Sequence, residues 1–224
     1  METAVSCLKH IVERFFYWWV TRLAGLSADK GHLEVERKFA ISQGESLVLP
    51  DRLASCGFVL LDKVFFIDTF LPAPTDGEMV RLRLERSPKG ACTMLTHKTW
   101  CNTAGGGKER KESERTVSRV ASTCLLTVGR WLKGAKLLSF DKHRDLFVGH
   151  LGEQQAVVSI DQAEGLGDYS GFYLEVEVLV PLGKDVTVAR ERIFELAWEL
   201  LGEARDPVKL SYLQMLELSQ VGGN

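Results

Sequence analysis

Leu33-Glu34-Val35-Glu36-Arg37-Lys38-Phe39 is the stretch on which the fold turns. As an extended strand, its period of two sends Glu34, Glu36 and Lys38 to one face, with Val35 and Phe39 on the other. Far downstream, Phe172-Tyr173-Leu174-Glu175-Val176-Glu177-Val178 repeats the pattern, with Glu175 and Glu177 opposite Leu174, Val176 and Val178. Between them, Val80-Arg81-Leu82-Arg83-Leu84 places two arginines in the same way. A strand of a soluble domain normally hides its apolar side and wets its charged side. Acid pairs and base pairs on different strands suggest more: a surface that holds a metal ion and a polyanion together.

Working outward, the period of two dominates from Gly31 onward and predicts strands over 32–41, 62–71, 78–86, 91–99, 109–118, 138–148, 155–161 and 171–180. Turn signals separate several of them: Pro72 to Gly77, Ser87-Pro88-Lys89-Gly90, Gly105-Gly106-Gly107 and Gly165-Leu166-Gly167. Short connections imply hairpins, hence an antiparallel sheet. Helical spacing predicts helices at about 51–56, 118–132, 187–201 and 208–218, with Gly202 stopping the third and Pro207 starting the fourth. The class is α+β. One face carries charges strand after strand: Glu34, Glu36, Lys38; Arg81, Arg83, Glu85; Lys98; Arg110, Glu112, Glu114; Lys142, Arg144; Asp161; Glu175, Glu177. An open sheet could present them to water, whereas a closed or nearly closed one turns them into a doubly charged interior. The apolar alternates need cover on their own side, which helices can supply, and this favours closure.

The 224 residues suffice for a full core in one domain, and a hydrophobic content of 45% is ordinary for a globular chain. Lys+Arg 28 against Asp+Glu 30, net charge -2, argues against a nucleic-acid binder working by bulk electrostatics. Cys7, Cys56, Cys92, Cys101 and Cys124 show no metal-ligand spacing and read as free thiols of a reducing, cytoplasmic compartment. Residues 1–30 form a separate N-terminal extension ahead of a domain over 31–220. Leu8, Ile11, Val12, Phe15, Phe16, Trp19, Leu23 and Leu26 fall at the spacing of an amphipathic helix. Lys9, Glu13 and Arg22 interrupt the apolar run, against a signal peptide or a membrane span. Trp18 and Trp19 would suit a membrane interface, but packing on the domain or a partner is the favoured reading.

Hard divalent cations take oxygen ligands, and Glu34, Glu36, Asp161, Glu175 and Glu177 could supply them. Arg81, Arg83 and Arg144 offer planar forks for phosphate oxygens, with Lys38, Lys98 and Lys209 as point charges. Positioning and charge neutralisation are most of what phosphoryl transfer asks of a protein. Gly105-Gly106-Gly107-Lys108 lacks Walker A spacing. Taken singly, Glu-x-Glu is commonly a solvated face, Arg-x-Arg pairs with cross-strand acids, and His97 and His143 fall on the opposite strand faces. The weight lies in the ordered set.

That set resembles the CYTH superfamily of triphosphate tunnel metalloenzymes. Its Glu-x-Glu-x-Lys hallmark is matched by Glu34, Glu36 and Lys38, its Arg-x-Arg strand by Arg81 and Arg83, and the following lysine by Lys98. Arg110, Glu112 and Glu114 match the basic-x-Glu-x-Glu strand, Lys142 and Arg144 the Lys-x-Arg strand, and Asp161 the acid before the final hairpin. Glu175 and Glu177 match the last acidic strand, and Lys209 the late lysine. The resemblance implies an antiparallel closed β-barrel, or tunnel, of about eight strands with helices packed outside. It implies a monomeric, metal-dependent phosphohydrolase acting on a small-molecule triphosphate with Mg²⁺ or Mn²⁺, and no nucleic acid. Lys38, Arg81, Arg83, Lys98, Arg144 and Lys209 would hold phosphate, and Glu34, Glu36, Asp161, Glu175 and Glu177 metal. Lys98, Glu34 and Glu36 would be catalytic, supported by Glu112, Glu114, Arg110 and Lys142. Leu33–Phe39, Phe66–Phe70 and Lys209–Gln214 look most like thiamine triphosphatases, which carry tryptophan where Met79 stands and tyrosine where Phe70 stands. Thiamine triphosphate is therefore the first expected substrate. Inorganic tripolyphosphate or a nucleoside triphosphate comes next, then adenylate cyclase chemistry or a non-catalytic polyphosphate-binding module.

Overall fold

The computed structural model describes residues 32–73, 78–102, 108–133, 137–181 and 183–221, together with Val12, Phe16 and Val20; at 100–102 and 108–111 it describes the backbone only. Eight antiparallel strands form a closed barrel: β1 (His32–Ile41), β2 (Val59–Leu71), β3 (Met79–Ser87), β4 (Gly90–Asn102), β5 (Lys108–Thr116), β6 (Ser139–Leu151), β7 (Gln154–Glu164) and β8 (Gly171–Pro181). Around the wall the order is β1-β5-β4-β3-β2-β6-β7-β8. β1 and β8 pair continuously from His32↔Pro181 to Ile41↔Phe172, whereas β1 meets β5 at Glu34↔Arg110. The closure is narrow, and it falls at a glutamate of the opening motif.

Alternation explains why the barrel closes with charge inside. Val35, Val158, Ile160, Leu174, Val176 and Val178 point outward and are buried beneath helices α1 (Gln43–Ser55) and α3 (Thr187–Leu201), whose Leu49, Leu53, Ile193, Ala197 and Leu200 complete this core. On the opposite flank, Val80, Leu82 and Leu95 meet Leu125 and Leu132 of α2 (Arg119–Lys133), with Phe16 and Val20 in the same cluster. Most strands therefore spend their apolar residues on the outer cover and turn their charged residues into the lumen, whereas β2 sends Phe66 and Phe70 inward. Val12, Phe16 and Val20 are helical, and the last two are 3% and 0% exposed. The rest of the expected N-terminal helix lies outside the described residues. No helix among those described is long and apolar enough to cross a membrane.

Two helix starts differ from the sequence reading. α1 begins at Gln43 rather than near 51, because Ser42 and Glu45 form a reciprocal capping box and Pro50 is accommodated inside the helix. Pro207 does not start the last helix. Residues 203–211 run as an irregular strap, tied to β1 by Val208 N–H donating to the Lys38 carbonyl at 2.7 Å and by Arg205 Nη1 donating to the Ala40 carbonyl at 2.7 Å. Helix α4 (Tyr212–Val221) then starts at its own Ser-x-x-Gln box, where Ser211 N–H donates to Gln214 Oε1 at 2.8 Å and Gln214 N–H to Ser211 Oγ at 3.3 Å. Gly202 does end α3, in the left-handed conformation at φ 75°. Cys56, Cys92 and Cys124 are free thiols.

Candidate active site

The lumen holds a cavity of about 610 Å³ lined by side chains from all eight strands and by strap residues 207–211 with the start of α4. Its lining brings together Glu34, Glu36, Lys38, Arg81, Arg83, Lys98, Glu112, Glu114, Lys142, Arg144, Glu175, Glu177 and Lys209. These residues span 176 positions of sequence yet share one enclosure, because every one of them except Lys209 sits on the inward phase of its strand. Lys209 arrives instead on the strap and is exposed at the rim. The Arg110 side chain lies outside the described residues.

One wall, made by β3, β2, β6 and β7 and joined at its edge by Glu175 of β8 and Lys38 of β1, is basic and tightly paired. Arg83 donates from Nε and Nη2 to the two Asp68 oxygens at 2.7 and 2.8 Å. Arg81 reaches Asp68 at 3.4 Å, Thr96 at 3.3 Å and Glu114 at 3.4 Å, while its own Nε is buried without a partner. Arg144 grips both Asp161 oxygens at 2.6 Å and also pairs with Glu175. Lys142 Nζ lies 3.0 Å from Asp161 and is itself 2% exposed. Burial and the neighbouring Arg144 lower the Lys142 ammonium to a pKa of about 8, against the pull of Asp161 and Glu175. Burial would raise Asp68, but Arg81, Arg83 and Lys142 carry it well below the usual carboxylate range. Glu175 is driven down in the same way by Lys142, Arg144 and Lys38.

The facing wall, made by β8, β1, β5 and β4, is acidic and short of cations. Lys98 Nζ sits 3.1 Å from Glu34 and 2.6 Å from Glu112, and burial notwithstanding those carboxylates hold it firmly as an ammonium. Glu34 and Glu112 are hydrogen-bonded to one another; burial and the adjacent Glu112 and Glu36 raise Glu34, while Lys98 and Arg81 keep Glu112 ionised despite its burial. The two carboxylates are thus coupled, with Glu34 the one more ready to keep a proton. Burial first, and Glu36 next, push Glu177 up to about 7. Among the described residues no three acid, histidine or cysteine side chains are already gathered as a metal cluster. The donors nevertheless fit a hard divalent cation: they are carboxylate oxygens that, lacking enough positive charge, take up protons in its place.

Three expected roles meet different surroundings; Glu175, expected among the metal ligands, is engaged by Arg144 and Lys38 instead. Asp161 does not line the cavity: it is 0% exposed, and its oxygens are taken by Arg144, Lys142 and the Tyr212 hydroxyl, which donates at 3.0 Å. A carboxylate so engaged orders cations and has little left for a metal. Glu34 and Glu112 hold Lys98 as an ammonium, so it supplies fixed positive charge and is unsuited to accept a proton. His97 and His143 lie outside the lumen lining as expected, with His97 bonded to Glu78 at 2.7 Å. Three contributors were not singled out from sequence: Asp68, the Phe66 ring 4.1 Å below the Arg83 guanidinium, and Tyr212, whose ring lies 3.5 Å from Lys38 Nζ.

A family model described as the CYTH domain matches residues 32–212. A search of curated proteins found no match. Among solved structures, the PH1819 protein of Pyrococcus horikoshii is similar at TM-score 0.64 and 23% identity, over 83% of this chain and 98% of that one. A proposed adenylate cyclase of Vibrio parahaemolyticus is similar at TM-score 0.57 and 18% identity, over 84% of this chain and 99% of the other. A proposed adenylyl cyclase of Hippeastrum, described as having a dominant triphosphatase activity, is similar at TM-score 0.52 and 16% identity, over 85% and 96%. At these identities the likeness shows the shared barrel.

Proposed function

The chain belongs to the CYTH family, and from that premise we propose that it is a metal-dependent hydrolase of small triphosphate compounds, with thiamine triphosphate as the first substrate to test. The observation that carries this reading is the facing of a basic and an acidic wall across one lumen. Lys38, Arg81, Arg83, Lys98, Arg144 and Lys209 bind consecutive phosphates. Arginine forks held by Asp68 and Asp161 need no reorientation when the anion arrives, so the charge that builds on phosphoryl oxygens meets donors already in place. Glu34, Glu36, Glu112 and Glu177 would hold Mg²⁺ or Mn²⁺, which when bound neutralises phosphate oxygens and polarises the transferred phosphoryl group. Water attacks the terminal phosphorus, the anhydride P–O bond breaks, and the products are the diphosphate compound, inorganic phosphate and a proton. Lys98, fixed as an ammonium beside Glu34 and Glu112, stabilises charge at the boundary between the two walls.

For the organic group, Phe70, Met79, Leu210 and Leu213 offer an apolar stretch of lining with no side-chain donors to read a base edge. This suits a ring recognised by contact, and the likeness of Leu33–Phe39, Phe66–Phe70 and Lys209–Gln214 to thiamine triphosphatases supports the same choice. Phosphate release from thiamine triphosphate, inorganic tripolyphosphate and nucleoside triphosphates, measured side by side with Mg²⁺ or Mn²⁺, tests the reading. Preference for thiamine triphosphate is expected. Equal rates on all three would remove thiamine specificity, and tight binding without turnover under either metal would remove hydrolysis.

A further inference from the structure

We propose that Asp68 is a positioning residue of this site, fixing the two β3 arginines in the orientation in which they receive phosphate. The proposal rests on the triphosphate reading above. Asp68 lies mid-strand in β2, is 1% exposed, and is the register partner of Arg83. Its carboxylate lines the lumen, but both of its oxygens are taken by the arginines. Two features fix the Arg83 guanidinium. The Phe66 face, 4.1 Å away, sets its plane, and the paired bonds from Nε and Nη2 to Asp68 set its rotation within that plane. Both Nη1 hydrogens and one on Nη2 stay free of this grip, so the donating edge is left for an anion.

Asp68 also reaches Arg81 at 3.4 Å, which brings the two guanidinium groups under one carboxylate. Without that carboxylate, Arg81, Arg83 and Lys142 would face one another across a buried space with their mutual repulsion unrelieved. Arg81 keeps a buried Nε with no partner, a donor left over in the protein itself. A buried ion pair is a poor stabiliser compared with well-packed apolar side chains of similar volume, so stability alone is a weak reason for an acid at this position. Preorganised donors for a polyanion are a better one.

The test is Asp68→Asn, which keeps size and one acceptor while removing the charge, assayed on inorganic tripolyphosphate. Loose arginines should raise KM about tenfold with kcat kept within about threefold, since ground-state and transition-state phosphate binding are lost together. A merely structural role would lower the active fraction, hence kcat per mole of protein, and leave KM unchanged; that result overturns the proposal. Should the single variant not fold, Asp68→Asn/Arg81→Gln/Arg83→Gln, in which the buried acid and both arginines are neutral, is compared with Arg81→Gln/Arg83→Gln. Equal KM values support action through the arginines, and a further tenfold rise in the triple variant overturns it. Calorimetric binding of tripolyphosphate separates this from the hydrolase reading. If the wild-type chain binds but does not turn over, the hydrolase reading fails. A dissociation constant about tenfold weaker in Asp68→Asn still supports the positioning role, and an unchanged one overturns it.

Discussion

The two walls of the barrel are built from the same strand grammar and reach opposite electrostatic ends. On the basic wall every buried carboxylate is matched: Asp68 with Arg83 and Arg81, Asp161 with Arg144 and Lys142, Glu175 with Arg144 and Lys38. On the acidic wall Glu34 and Glu112 turn on Lys98, and Glu177 is set against Glu36. Burial penalises charge equally on both sides, so the difference lies in partners. Asp68 and Glu175 ionise more readily than in water, and all three carboxylates order the arginines. Unmatched ones retain protons. A ligand carrying a metal and a polyanion together supplies what each wall lacks.

The largest test of that contrast removes the centre of the basic wall. Arg144→Ala leaves Asp161 only Lys142 and the Tyr212 hydroxyl, and Glu175 only the more distant Lys38, so two buried carboxylates lose their main partner at a cost of about 3–5 kcal/mol of stability. Together with a lost phosphate fork, kcat/KM on the triphosphate should fall about a thousandfold or more. Thermal melting and steady-state kinetics check both. A variant that melts like the wild type would show the wall to be less tightly paired than its distances say.

The second test uses pH, because the walls respond with opposite sign. Glu177 keeps its proton up to about 7 when folded but releases it near the ordinary 4.5 when unfolded. The unfolded chain therefore gains as pH rises through that window, and the metal-free protein should lose about 3 kcal/mol between roughly pH 4.5 and 7 at 1.36 kcal/mol per pKa unit. Asp68 behaves inversely: its folded value lies below the ordinary 3.8, so its contribution is complete above that and is lost as pH falls further. Denaturant titrations at pH 5 and 8 without metal, on wild type and Glu177→Gln, measure the first arm. A variant with an unchanged slope would move the effect to another carboxylate.

How far this polarity could be read from sequence depends on what alternation encodes. Period two assigns a face, and it correctly sent Glu34, Arg81, Lys98, Arg144 and Glu177 to one side and Leu82, Val158 and Val176 to the other. It carries no depth, so Asp161 was indistinguishable from a lining acid although Arg144 and Tyr212 enclose it. Asp68 escaped because the inward phase of β2 reads Val64, Phe66, Asp68, Phe70, a single acid among apolar residues with no charge pattern to mark it. The α1 start carries a Ser42-x-x-Glu45 box visible in the sequence, with Pro50 lying inside the helix it opens. Tyr212 depends on where the strap delivers α4, which no local pattern specifies.

A third test addresses the acidic wall. Glu34→Gln removes one oxygen donor and one member of the coupled carboxylate pair while leaving Lys98 its contact with Glu112. The metal concentration giving half-maximal hydrolysis should rise about tenfold or more, with tripolyphosphate binding in the absence of metal little changed. Loss of metal-free binding instead would mean that Glu34 serves the phosphate side, and the division between walls would blur.

The smallest effect is expected at Tyr212, where the two kinds of contact can be separated within one side chain. Its hydroxyl donates to Asp161 at 3.0 Å, and its ring lies 3.5 Å from Lys38 and 4.8 Å from Lys142. Tyr212→Phe deletes the hydrogen bond and keeps the ring. Asp161 retains Arg144 and Lys142, so the loss should be about 1–2 kcal/mol of stability, with hydrolysis within about threefold of wild type. Tyr212→Leu, which also removes the aromatic face, should additionally raise KM by loosening Lys38. If the two variants behave alike in KM, the ring contributes nothing to holding that lysine, and the basic wall is ordered by carboxylates alone.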